Sequence, residues 1–337
     1  DIKQQYNLDK KQHKQSVYIK ICKGMYGLKQ AAILAYNKLV NHLAKYNYFP
    51  IPHTTGLWRH STRPTTFCLC VDDFAIEYFT TDDAHHLLDA LQTEYVASID
   101  WTGSHFCGLQ ISWNYPACYV DISMPNYIPT LLKKFAYSPK IPQYSPYPVA
   151  PFTTPQKGQR QYAPAPDTTP QLDKTNTTTV QSIIGSLLYY ARGVDSTLFP
   201  TLNTLATPQA SPTETTLKHC YRLLDYVATY PHIMIRFFTS DMQLRIDSDA
   251  AYLVAPQARS RIAGYFTLGP HLQHPAPHRP ILVECRTLRH VVASSAKAEI
   301  AGIFHNAQMG IPIRRILNSL GHPQNQTPIK TDNSTAA

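Results

Sequence analysis

Phe67-Cys68-Leu69-Cys70 and Phe74-Ala75-Ile76-Glu77-Tyr78-Phe79 are two strand-like runs that flank the turn Val71-Asp72-Asp73. Adjacent carboxylates at a hairpin tip repel one another unless something cationic sits against them, and a tip lets one of them project to a bound ion. For these residues alone an ordinary Asp-Asp turn is the favoured reading. The stretch sets the local frame: a β-hairpin whose turn carries two acids.

Upstream runs Gly24-Met25-Tyr26-Gly27-Leu28-Lys29-Gln30-Ala31-Ala32, a glycine-punctuated turn that leads into an amphipathic helix expected over 29 to 46. This element, the helix and then the Val-Asp-Asp hairpin, in that order, resemble the reverse transcriptase of Ty1/copia-type retrotransposons. The resemblance implies an α+β chain: a polymerase palm/fingers-like reverse transcriptase fold followed by a truncated ribonuclease H-like α/β domain. It also implies an RNA-directed DNA polymerase with two Mg²⁺ ions per active site, a primer-template of RNA or DNA, and a dNTP as substrate. Asp72 carries over as a catalytic metal ligand and Asp73 as its supporting neighbour. Gln30, with Lys29 beside it, carries over as support for template or nucleotide, and Gly27 as the point of close backbone approach. Cys70 stands where the family often has Tyr.

Working outward, residues 17 to 136 alternate strands and helices: Val17 to Cys22, the helix after Gln30, the acid hairpin, a helix near 82 to 95, strands near 105 to 112 and 117 to 122, and a helix near 126 to 136. Phe106-Cys107-Gly108-Leu109-Gln110-Ile111 resembles the family's segment that braces the primer, and a core strand explains it nearly as well. Trp58 is expected to be partly buried rather than a base-stacking platform. From Pro139 to Pro170 nine of 32 residues are proline, which excludes a helix or central strand and indicates a linker or an extended strap. Helices resume at Thr179 to Arg192 and Pro212 to Thr229. Ile184 to Ala191 followed by Asp195 is similar to the family's segment connecting polymerase to ribonuclease H. These features divide the chain into 1–138, 139–174, 175–232 and 233–337.

The last region reads βββαβ: strands Leu244 to Asp247, Ala263 to Leu268 and Ile281 to Cys285, a helix from about Ser294 to Met309, and a strand Pro328 to Thr331. It resembles the start of a ribonuclease H fold, and Asp249, Glu299 and Asp332 match the acids that in that family bind two Mg²⁺ ions. A cluster of hard oxygen donors is what such ions require. Asp247 is the alternative first ligand. Asp249 is preferred because two small residues follow it, and Asp247 is expected on the same face but deeper. Lys297 adds an unexpected cation near the acids.

Bulk properties agree with this reading without requiring it. The 337 residues suffice for two domains, and 31 Lys and Arg against 22 Asp and Glu give a net charge of +9, which suits a nucleic-acid partner. The seven cysteines have no C-x-x-C spacing and read as reduced core residues of an intracellular protein; the resemblance implies a cytoplasmic particle or the nucleus. No apolar run is long enough to span a membrane. The fifteen histidines show no H-E-x-x-H spacing, and there is no G-x-x-x-x-G-K-[ST] loop. The family's early polymerase acid is not visible, since Asp1-Ile2-Lys3 mimics it in the wrong context, and the final ribonuclease H helix with its last acid is not seen. The expectation is therefore an incomplete or decayed copy in which each site lacks a ligand. Two other readings stay open: a non-catalytic basic nucleic-acid-binding module derived from a retroelement, and an unrelated metal-dependent phosphohydrolase.

Overall fold

A computed structural model describes residues 4, 6–13, 16–18, 28–148, 167–269 and 279–333. It is mixed α+β, with helices interspersed among small sheets. Two compact units divide the chain: residues within 1–52, 56–68 and 76–98 form one, and those within 53–55, 69–75 and 99–337 form the other. This division does not follow the boundaries at 138, 174 and 232 drawn from composition. Pairing of Tyr119–Ser123 with Met234–Phe238, and bonds of Asn203 to Cys285 and Thr287, join segments that those boundaries separate.

In the first unit β1 (Gln12–His13) pairs antiparallel with β2 (Ser16–Val17), and α1 (Lys29–Ala44) follows. The strand expected over Val17 to Cys22 lies largely outside the described residues. Strands β3 (Tyr48–Pro50) and β4 (Leu57–His60), which the sequence reading did not anticipate, pair with each other, and β4 pairs in turn with β5 (Thr66–Cys70). With β6 (Asp73–Glu77) they make a sheet of order β3-β4-β5-β6. Their alternation is obscured because Trp58, His60 and Leu57 are all buried. Trp58 is fully buried and stacks on Phe67 with ring centroids 5.5 Å apart, so it belongs to the core. Helix α2 (Thr81–Gln92) begins with a reciprocal cap between Thr80 and Asp83, and the Asp83 carboxylate also accepts from Arg63 Nη1 at 2.9 Å. His42 Nε2 bonds the Ala90 carbonyl at 2.7 Å, tying α1 to α2.

The second unit contains β7 (His105–Phe106), β8 (Leu109–Asn114) and β9 (Tyr119–Ser123), then α3 (Tyr127–Lys134), α4 (Lys174–Gly193), α5 (Phe199–Ala206) and α6 (Glu214–Thr229). Strand β10 (Met234–Phe238), also unanticipated, completes the antiparallel sheet β10-β9-β8-β7. Helix α4 starts five residues earlier than expected because Asp173, whose carboxylate accepts from Asn176 N at 2.8 Å, caps it. A core of Val180, Ile183, Leu187, Tyr190, Leu198, Leu202, Cys220, Leu223 and Leu224 joins α4, α5 and α6.

The described ends of the Pro-rich stretch pack as a strap against α6. Asp225 Oδ1 accepts from the Tyr137 hydroxyl and the Lys140 backbone N, each at 3.0 Å, and Thr229 Oγ1 accepts from Gln143 N at 3.1 Å. The middle of the stretch, 149–166, lies outside the described residues.

The C-terminal sheet has the order β13-β12-β11-β14, built from β11 (Leu244–Ala255), β12 (Arg259–Leu268), β13 (Leu282–Thr287) and β14 (Ile329–Lys330). The first three strands are antiparallel, and β14 runs parallel to β11. Strand β11 continues eight residues past the expected end. It carries a register shift between Ala251 and Ala255. Helix α7 (Ser295–Ser319) runs ten residues past its expected end, straight through Pro312. Proline removes one helical hydrogen bond. Beyond it, Ile313 and Leu317 pack with Leu244, Ile246 and Phe266, which favours continuing the helix. Among the described residues no helix is long and apolar enough to cross a membrane.

Candidate functional site

Strand alternation sorts the β11 side chains: Ile246 and Ser248 are buried toward α7, whereas Asp247 and Asp249 are exposed. Asp247 therefore shares a face with Asp249 but is not deeper. The parallel register pairs Asp247 with Lys330, and Asp332 follows two residues beyond the end of β14. Helix α7 supplies the third acid. Ser294 caps it, its Oγ accepting from Lys297 N at 3.2 Å. Ala298, Gly302, Asn306 and Gly310, four residues apart, form the buried face of the helix. The close approach is required at Gly310, where a Cβ would lie 2.9 Å from Ile246 Cδ1.

Asp249, Glu299 and Asp332 thus converge, each offering one carboxylate oxygen within 4.8 Å of the others. Asp249 and Asp332 are exposed while Glu299 is 4 % exposed. Glu299 Oε1 accepts from Ala250 N at 3.2 Å and Oε2 from Thr331 Oγ1 at 3.5 Å. Burial, and then the facing Asp249 and Asp332 charges, push the Glu299 carboxyl above its ordinary value. Three hard oxygen donors of one sign are the donor set that Mg²⁺ or Mn²⁺ takes, and a divalent cation would relieve the repulsion that raises Glu299. Lys297 is exposed.

Asn306 fixes this arrangement, and the sequence reading missed it. Fully buried, it donates from Nδ2 to Ser248 Oγ at 2.9 Å and to the Ala263 carbonyl at 2.8 Å. It fits only because residue 264 is Gly: a Cβ there would lie 2.3 Å from Asn306 Oδ1. The four-residue spacing of small or compact residues from Ala298 to Gly310 was the available signal.

The hairpin acids are placed differently. Asp72 lies in the turn between β5 and β6 and Asp73 opens β6; both are exposed, and Val71 is in the left-handed region at φ 59°. Asp73 Oδ2 accepts from Cys107 N at 2.9 Å. Cys107 and Gly108, at φ 49° and 72°, make the two-residue turn between β7 and β8, whose backbone the Tyr189 hydroxyl also holds by donating to the Cys107 carbonyl. Burial, the neighbouring Cys70 thiol and the Asp73 charge push the Cys107 thiol up to about 12. Among the described residues the only group of three or more acids, His or Cys able to share an ion is the C-terminal one. Gln30 is exposed in the first turn of α1, which Lys29 opens. Gly27 lies outside the described residues, as does Asp1.

No family model matches this chain. A search of curated proteins finds no significant match either.

Proposed function

We propose that the chain is the reverse transcriptase and ribonuclease H region of a Ty1/copia-type retrotransposon polyprotein, and that its C-terminal acids hydrolyse the RNA strand of an RNA–DNA hybrid. The observation that carries the reading is the convergence of Asp249, Glu299 and Asp332 from two parallel strands and a helix. Supporting it are the order of motifs along the chain and the sheet order β13-β12-β11-β14 with α7 packed on β11.

In this reading Asp249, Glu299 and Asp332 hold Mg²⁺. A bound divalent ion supplies a nucleophile at neutral pH by acidifying its water and stabilises the departing 3′ oxygen. The chain's own contribution is geometric. Asp249 and Asp332 face solvent, where a phosphodiester can approach. Glu299 is fixed from behind by Ala250 N and Thr331 Oγ1. The excess of basic side chains favours a polyanionic substrate.

The test is cleavage of a 5′-labelled RNA annealed to DNA, with Mg²⁺ or Mn²⁺, by the chain and by its Asp249→Asn variant. Cation-dependent cleavage at internal RNA positions, lost in the variant, is expected. Cleavage that persists in Asp249→Asn or in chelator overturns the assignment.

One observation favours a second reading, a basic nucleic-acid-binding module without polymerase chemistry: no third acid joins Asp72 and Asp73 among the described residues. It predicts salt-dependent binding to a primer-template that needs no Mg²⁺ and survives Asp72→Ala.

A further inference from the structure

Two large aromatic rings stand side by side in water at the end of β8. Trp113 is 48 % exposed and Tyr115 76 %, and their rings are parallel within 4° with centroids 5.8 Å apart. The exposure of Tyr115 leaves one face of its ring as a flat, open apolar surface. Both rings are fixed in place by the protein itself. Trp113 Nε1 donates to the Gly103 carbonyl at 2.9 Å, in a loop that Asp100 gathers by accepting from Thr102 N, Ser104 N and His105 N. Tyr115 begins a turn closed by Cys118 N, which donates to the Tyr115 carbonyl at 3.1 Å, and by Ala117 N, which donates to Asn114 Oδ1 at 3.0 Å. Pro116 restricts that turn further.

The rings lie on the lining of a cleft of about 1300 Å³ between the β8–β10 sheet, α4, α5 and β13, wholly within the second unit. The charged residues of the lining are Arg192, Arg279 and Arg286 against Glu284 alone. Arg286 and Glu284 are both engaged with His305, at 3.0 and 3.9 Å. Arg192 and Arg279 are exposed, and among the described residues neither forms an ion pair. Open aromatic faces beside unpaired guanidinium groups are the combination that holds an unpaired polynucleotide, since rings stack on bases and cations take phosphates. A full duplex hides its base faces. The two amides of the lining are already engaged, Asn114 with Ala117 N and the Tyr119 hydroxyl, Asn203 with the Cys285 carbonyl and Thr287, so neither is free to read a 2′ hydroxyl.

We propose that Trp113 and Tyr115, with Arg192 and Arg279, form a docking surface for single-stranded DNA, one base stacking on the Tyr115 ring and the neighbouring phosphates lying toward the arginines. None of these residues belongs to the acid cluster. The surface goes beyond the ribonuclease H reading and needs no cation.

The experiment follows tryptophan fluorescence of the whole chain carrying Trp101→Phe, in EDTA at low salt, so that only Trp113 and the fully buried Trp58 emit. The probe is an oligodeoxyuridylate of about twelve nucleotides. Saturable quenching that weakens with salt is expected. Anisotropy of the labelled oligomer should show about tenfold weaker binding in Tyr115→Ala and parental binding in Tyr115→Phe, which keeps the ring. Arg192→Ala and Arg279→Ala should each reduce the slope of log affinity against log salt by about 0.7. Affinity unchanged in Tyr115→Ala overturns the proposal. So does equal quenching by polyphosphate, which has no bases, equal binding of the duplex with oligodeoxyadenylate, or tighter binding of the matching ribo-oligomer. Because chelator leaves the acid cluster without cation, the two ideas fail separately. Hybrid cleavage without strand binding counts against the docking surface alone, and strand binding without cleavage counts against the ribonuclease reading alone.

Discussion

Asn306 Nδ2 donates to Ser248 Oγ at 2.9 Å, joining the helix that carries Glu299 to the strand residue immediately before Asp249. One buried amide therefore sets the distance between acids that are 50 residues apart in the sequence. Replacing it in Asn306→Ala leaves Ser248 Oγ and the Ala263 carbonyl without that donor in a buried position, a cost of about 1–3 kcal/mol. Gly264→Ala forces the same contact apart and is expected to cost about 1–3 kcal/mol. Urea denaturation should show both losses, and wild-type midpoints in both variants would contradict the role given to Asn306.

Removing charge from the acid cluster should separate stability from cation binding. Glu299→Gln eliminates a buried carboxylate that Asp249 and Asp332 repel, so in chelator its melting temperature should equal or exceed that of the parent. With millimolar Mg²⁺ or Mn²⁺ the parent should gain stability and the variant should not. Differential scanning calorimetry with and without the cation reads both effects. A variant that keeps the full cation shift would show that the ion binds elsewhere.

Without cation, the pH response of the same group has a fixed sign. Its folded-state pKa is raised above the ordinary value of 4.5, so the native state binds the proton more tightly than the unfolded chain. The stabilising contribution is complete below 4.5 and is lost as pH rises through the folded-state value. Added Mg²⁺ should offset that loss above this range, where the carboxylate is free to bind. The parent-minus-Glu299→Gln stability difference, measured in chelator from pH 4 to 8, should become more unfavourable to the parent with rising pH. A flat difference refutes it.

The first unit should respond in the opposite direction. Burial holds both His60 and His86 below their ordinary value of 6.5, and His60 Nδ1 accepts backbone N–H bonds from Thr62 at 3.1 Å and Arg63 at 2.8 Å, which a protonated ring cannot do. Here the unfolded chain binds protons more tightly, so the stability is present above 6.5 and is lost as pH falls toward the folded-state values. Thermal unfolding followed through Trp58, in Trp101→Phe/Trp113→Phe background, should weaken between pH 7 and 5. A midpoint unchanged over that interval would exclude these histidines.

The strap yields a proteolytic prediction. Lys140 N is held by Asp225 Oδ1, so trypsin should cut slowly between Lys140 and Ile141 in the native chain and several-fold faster in Asp225→Ala. Equal rates would mean that the strap is not fixed by that carboxylate.

Much of the local structure was legible along the chain. The hairpin at Asp72, helices α1, α2 and α6, and the βββαβ order of the last region follow from alternation, helical spacing and turn residues, signals that act over a few residues. Strands β3, β4 and β10 were not legible, because they are only three to five residues long and their burial follows no regular alternation, with Leu57, Trp58 and His60 all buried in β4 and four successive half-buried residues in β10. The extension of α7 past Pro312 was hidden for a different reason: local propensity argues for a stop, and only the packing of Ile313 and Leu317 on the sheet overrides it. Asp249, Glu299 and Asp332 were recognisable one at a time as acids at the ends or faces of elements. Their approach to within 4.8 Å was decided by the β11–β14 register and by Asn306 seated over Gly264, contacts between residues dozens of positions apart. The sequence by itself determined which residues carry charge and which short segments bend or pair. Only the tertiary structure decided which of those charges share a site, because long-range contacts depend on burial and register that no local pattern encodes.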